Sequence, residues 1–166
     1  MAILKIARMG HPVLLERAAE VADPTAPEIR QLILDMAETL ADAGGIGLAA
    51  PQVHQALRLF LWRDGQELRV LMNPEITPLG EARARAWEGC LSIPGLRGEV
   101  ERPARVAWRG LDHEGRPVAG EAEGIAARVL QHENDHLDGL FYLSRMTDLG
   151  RLGFIEELAR FPEEST

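Results

Sequence analysis

The sequence predicts an α+β domain, an antiparallel β-sheet packed around a central helix, with an N-terminal helix before it and a C-terminal helix after it. Three observations point there. Apolar residues recur at helical spacing near the start and again near the end of the chain, the period shifts toward two in the middle, and Gly and Pro cut that middle into short segments. With 166 residues the chain is the size of one ordinary domain, taken as 1–166, and can bury a core without disulfides.

The first helix is read from "TAPEIRQLILDMAETLADAGG", where Ile29, Leu32, Ile33, Met36 and Leu40 make one apolar stripe. Thr25 and Glu28 are expected to form a capping box, and Gly44 and Gly45 to stop the helix. "LRLFLW", "RDGQ" and "ELRVLM" then read as a hairpin turning at Asp64-Gly65. "ARARAWE" and "ARVAWRGLD" are further strand-like stretches, divided by Pro78, Gly80, Pro94, Gly95 and Pro103. Helical pattern returns in "AEGIAARVLQHENDHLDG", with Ile125, Val129, His132 and His136 on one inward face and Gly139 as the stop. A last amphipathic segment, "DLGRLGFIEELARF", offers Leu149, Leu152, Ile155 and Leu158 as a stripe, and the tail "PEEST" is expected to be disordered.

A formal net charge of -8, a pI near 5.1 and no run of Lys or Arg argue against direct nucleic-acid binding and against anionic lipid as a partner. The opening "MAILKIARMGHPVLLE" is broken by Lys5, Arg8, Gly10 and Pro12, so it has no signal-peptide core, and no window reaches the roughly 20 apolar residues of a membrane span. The expectation is a soluble, cytoplasmic protein. Its one cysteine, Cys90, cannot pair internally and is either a core filler or a chemical group.

The chemistry starts at "HENDH". On a helix His132 and His136 lie one turn apart on one face, so both imidazoles can reach one ion while Glu133 stays near the same edge. Two neutral nitrogen donors and a carboxylate able to take a proton from water are the parts of a hydrolytic metal site. The same five-residue pattern also fits two solvated or core histidines. An inward face tips the balance, because unpaired buried imidazoles are costly.

A catalytic metal takes three protein ligands and keeps one position open. No histidine follows Asp138, so the third donor is sought upstream, at Cys90 in "WEGCLSIPGLRG". Gly89 lets the backbone turn or approach a ligand closely, and Glu88 sets a second acid near the thiol. A thiolate with two imidazoles suits iron, zinc, cobalt or nickel.

"GIGLAAPQ" (45–52), "EGCLS" (88–92) and "QHENDHLDG" (131–139), in this order, resemble the three motifs of the peptide deformylases, and "GHPVLLERA" extends the resemblance toward the start. The resemblance implies a hydrolase that removes the formyl group from the N-terminal formylmethionine of newly synthesised polypeptides and releases formate. It implies Cys90, His132 and His136 as metal ligands and Glu133 as general acid and base. Gln52 and the backbone N–H of Leu91 would hold the oxyanion. Ile46, Gly47 and Gly89 would bond the substrate backbone, laid down as an added strand. Ile46, Ala86, Glu88, Ile125 and Val129 would stand near the methionine side chain. The implied cofactor is one divalent ion, ferrous iron (Fe2+) first, with zinc, nickel or cobalt able to replace it. The implied partners are N-formylmethionyl nascent peptides and, weakly, the ribosome, for which only Arg145, Arg151 and Arg160 could supply a basic C-terminal surface.

Arg97 and Arg102 match positions where that family carries arginine, and either a salt bridge or a substrate role fits them. "GLFYLSRM" departs from the run many relatives have after the metal helix. A phosphate-loop reading of "GGIGLAAPQ" fails for lack of the glycine spacing and the Lys-Ser/Thr ending. Two other functional readings compete: a zinc peptidase acting on internal amides, which needs a downstream third ligand, and a peptide-binding protein that keeps its metal as a staple.

Overall fold

The computed structural model describes residues 2–161, so the tail segment 162–166 lies outside the described residues. Two antiparallel sheets enclose a helix. The larger has strand order β1-β2-β3-β6-β7, built from Gly47–Ala49, Leu59–Asp64, Glu67–Pro78, Arg105–Leu111 and Pro117–Glu123. The smaller has order β4-β5-β8, from Arg83–Cys90, Ile93–Pro103 and Leu152–Phe154. Helices α1 (Pro27–Ala43), α2 (Gly124–Leu137) and the single-turn α3 (Ile155–Arg160) complete the fold.

β2 shows why the large sheet has a helix on each face. Its residues alternate: Phe60 and Trp62 join Leu71, Trp108, Leu130 and Leu137 in the core under α2, while Leu59 and Leu61 join Met36, Leu40 and Leu48 under α1. A strand buried on both sides reads as a continuous apolar run, and each such side chain contributes about 1.5–3 kcal/mol on leaving water. A third cluster, including Leu14, Ile93, Val100, Phe141 and Tyr142, lies between the small sheet and the segments flanking it. α2 is thereby held between the sheets, with its C-terminal half walled in.

α1 has no capping box. Its N-cap is Ala26 without a side-chain bond, Pro27 opens the first turn with a preset φ, and Thr25 instead bonds Asp23. The C-terminus ends at Gly44 with φ 64°. α2 begins at Gly124, two residues later than its sequence pattern, because Pro117–Glu123 pairs with β6 as a strand. Its other end is a Schellman closure: the N–H groups of Gly139 and Leu140 donate to the carbonyls of His136 (3.2 Å) and Asp135 (2.9 Å).

Two other expectations change. The C-terminal stripe divides into a 3-10 turn (Leu149–Arg151), strand β8 and the six residues of α3, since Gly150 and Gly153 disfavour helix and Leu152–Phe154 pairs with β5. Ile125 is 75% exposed rather than inward, because the first turn of α2 projects beyond the apolar core that buries Val129.

Candidate active site

Cys90 ends β4 where the pairing with β5 jumps from Gly89↔Arg97 to Cys90↔Ile93. Pro94, Gly95 and Leu96 therefore have no partner on β4, and this irregularity turns the thiol toward α2. The ligand atoms of Cys90, His132 and His136 lie within 4.8 Å of one another, and Cys90 Sγ is 3.3 Å from His136 Nε2. The two rings meet edge to face, 5.0 Å between centroids, with Tyr142 stacked on His132 and Phe141 against His136.

This trio fits a divalent transition-metal ion. A thiol sulfur and two imidazoles converge inside an apolar wall, and His136 is pushed well below the usual histidine range, by burial first and by His132 second, which keeps it in the neutral form that can ligate. His132 goes the other way, up to about 10: burial acts downward, but its bonds to Cys90 and Glu88 act more strongly upward. A cation at the trio would take the place of that proton. Glu133 Oε2 is buried without a hydrogen-bond partner, so no protein group occupies that oxygen. Burial raises its pKa to about 7, near the value suited to proton transfer at neutral pH.

Gln52 sits in the 3-10 turn Ala50–Val53 directly after β1. Its Oε1 accepts from Ala49 N–H (2.9 Å), which aims Nε2 at Ser92 Oγ (3.2 Å) and Cys90 Sγ (3.6 Å). Leu91 follows Cys90 in the tight turn between β4 and β5. Gly47 is buried in edge strand β1, where any side chain would run into the Glu133 carboxylate. Ile46 and Gly89 are exposed beside it in sequence and at the end of β4, and Ala86 and Val129 are partly or fully buried.

Glu88, expected near the methionine side chain, turns its carboxylate to basic partners. It is buried and bound on both oxygens: Oε1 accepts from Arg102 Nε (2.6 Å) and Arg128 (2.7 Å), and Oε2 faces Arg102 (3.0 Å) and His132 Nδ1 (2.9 Å). Burial alone would raise its pKa, but the His132 and Arg102 bonds outweigh it and hold it at about 2. Arg102 reaches on to Asp135 (2.9 Å), which Arg145 grips from the other side (2.8 Å). Of the two readings open for Arg102, the buried salt bridge is the one observed. Arg151 pairs with Glu99 and lies over Trp87, and Arg160 pairs with Glu157, so all three arginines of the expected ribosome surface have acidic partners.

Sequence reasoning did not single out Ser92, Arg128 or Asp135. Ser92 stood inside a quoted motif, and Arg128 four residues before His132 shares its helix face, so spacing could have marked both.

A family model described as Polypeptide deformylase matches residues 3–152. Peptide deformylase 1 of Bordetella pertussis is 45% identical, the match covering 95% of this chain and 94% of that protein. Peptide deformylase 1 of Nitrosomonas europaea is 39% identical over 98% and 97%. Among solved structures, the Synechococcus elongatus peptide deformylase in complex with actinonin superposes with a TM-score of 0.86 at 37% identity, covering 96% of this chain and 86% of that one. The Thermotoga maritima peptide deformylase gives 0.86 at 37%, covering 89% and 100%. Identity of this extent, end to end with the converging trio, Glu133 and Gln52, places the chain in the polypeptide deformylase family.

Proposed function

We propose that this chain removes the formyl group from the N-terminal formylmethionine of newly synthesised polypeptides by metal-dependent hydrolysis, in the cytoplasm, with 1–166 acting as one catalytic domain. The observation that carries the reading is the convergence of Cys90, His132 and His136 beside a buried Glu133 whose Oε2 has no partner and a pinned Gln52. A staple has no use for the last two. Among the described residues no downstream side chain joins the trio, as the zinc-peptidase reading would need.

Cys90, His132 and His136 would hold one divalent ion, Fe2+ first, with zinc, nickel or cobalt as replacements. When bound, such an ion supplies Lewis acidity toward water and a carbonyl oxygen. Glu133 takes a proton from the attacking water and passes it to the departing amine. Its pKa of about 7 lets one carboxyl serve both steps. Attack on the formyl carbon gathers negative charge on its oxygen, toward which Gln52 Nε2 and Leu91 N–H donate. Cleavage of the C–N bond leaves formate and a free amino terminus.

The substrate backbone adds to edge strand β1 through Ile46 and Gly47, with Gly89 on its other side. Ile46, Ala86, Ile125 and Val129 supply apolar contact for the methionine side chain, and Ile46 and Ile125 are accessible to it at 53% and 75% exposure.

Formate release from a short N-formylmethionyl peptide tests the reading, using protein prepared without oxygen and reloaded with iron, nickel or zinc. Turnover with metal and none without it is the expected result. Cleavage of an unformylated peptide would favour the peptidase, and bound metal without turnover the binding protein.

A further inference from the structure

The mechanism above leaves Arg128 unused, although its guanidinium is one of the most fully engaged groups in the molecule. Its side chain is 13% exposed. One nitrogen donates to Glu88 Oε1 (2.7 Å) and the Val100 carbonyl (2.9 Å), and the other to the Ala84 carbonyl (2.7 Å). The acceptors belong to β4 and β5, and the donor to α2.

Neutralising Glu88 does not require this arginine, because Arg102 already meets both carboxylate oxygens in a fork. What Arg128 adds is geometric. Arg128 and His132 are one turn apart on the same helix face, and both grip Glu88, one on each oxygen. Oε1 thus has a second donor on the very helix that brings His132 Nδ1 to Oε2, and the ring presents its other nitrogen toward Cys90. The contact also sets strand against helix. Cys90 lies two residues beyond Glu88 on β4, whereas both histidines ride on α2. The Arg102–Asp135 pair ties α2 to the small sheet on the far side of His132, and Arg128 ties it on the near side. Between them Gln131 Nε2 donates to the Pro103 carbonyl of β5 (3.0 Å), so α2 is tied to the small sheet at these three residues, of which Arg128 is the one nearest its N-terminus.

We propose that Arg128 is a positioning residue for the metal site, locking Glu88 onto His132 and the Cys90 strand onto the histidine helix. The inference rests on the reading that Cys90, His132 and His136 hold a cation.

Cobalt tests it directly, since a cobalt ion with a thiolate ligand absorbs visible light and its loss to a chelator can be timed. Wild type, Arg128→Met, Arg128→Lys, Glu88→Gln and the double variant Glu88→Gln/Arg128→Met are loaded with cobalt, and thermal midpoints are recorded alongside. Arg128→Met is expected to release cobalt about tenfold faster, at the lower end of what losing an outer partner of a ligating histidine costs, and to shift the absorption band. Arg128→Lys keeps one charged donor without the fork and should fall between. In the Glu88→Gln background the Met substitution should add little, because the two act through one another.

An Arg128→Met protein with wild-type release and spectrum would overturn the inference. So would an undiminished effect in the Glu88→Gln background, which would reduce Arg128 to a clamp on two carbonyls. Should Arg128→Met fail to fold, Arg128→Lys decides by the same comparison with wild type. A wild-type protein that takes up no cobalt would overturn the metal-site reading itself, and the inference with it.

Discussion

Gly47 lies against the carboxylate of Glu133 so closely that a methyl group on its α-carbon would overlap Oε1. The edge strand that is proposed to receive substrate thus touches the proposed proton carrier, and a hydrogen atom is all the space between them admits. Gly47→Ala should push the carboxylate aside without disturbing the metal donors. Since a displacement near 1 Å can cost about a hundredfold in rate, turnover should fall on that order while metal content stays at the wild-type level.

Gln52 is held at both ends of its amide, by Ala49 N–H and by Ser92 Oγ. Gln52→Ala should lower kcat by about 10²–10³, the usual cost of losing one oxyanion donor, with little change in KM. Ser92→Ala, which only loosens the amide, should have a smaller effect of the same kind. Steady-state kinetics on a formylated tripeptide separates the two.

Cys90→Ala removes the sulfur donor of the trio and should abolish both metal retention and turnover. Metal analysis after dialysis, compared with wild type, gives the first, and formate release the second. Full metal occupancy in this variant would mean that the thiol is not a ligand.

Gly139 closes α2 at φ 74°, and a Cβ there would come within 2.6 Å of the Leu15 carbonyl oxygen. Neither the backbone conformation nor the space suits a side chain. Gly139→Ala should therefore destabilise the fold by about 2 kcal/mol or more, lowering the thermal midpoint by several degrees for a chain of this size.

The parts of the fold that could be read in advance are those with strong local period: the α1 stripe, the histidine helix and the β2–β3 hairpin. β5 was hidden because Pro94, Gly95 and Pro103 look like dividers, yet the first two lie in its irregular stretch and Pro103 at its end. β7 carries small and acidic residues whose strand character comes from pairing with β6, not from their own pattern. Helical spacing placed Ile125 with Val129 but could not tell how far the core extends over the first turn.

The site divides in the same way. Three donors and a carboxylate could be proposed from spacing and residue type, and they do come together. The role of Glu88 could not, because its partners Arg102, Arg128 and His132 reach it from another strand and a helix, the farthest 44 residues away in sequence. Its position near Cys90 marked it only as a second acid by the thiol, and the family resemblance set it near the methionine side chain; long-range pairing turns its carboxylate to His132 and two arginines.

The central claim is that Glu133 moves protons at a metal held by other residues. The measurement that tests it is formate release by Glu133→Ala and wild type, on samples whose bound metal is determined in parallel. Equal metal content with turnover lost almost completely in the variant is the expected result. A Glu133→Ala protein that holds its metal and still releases formate at a rate close to wild type would contradict the account.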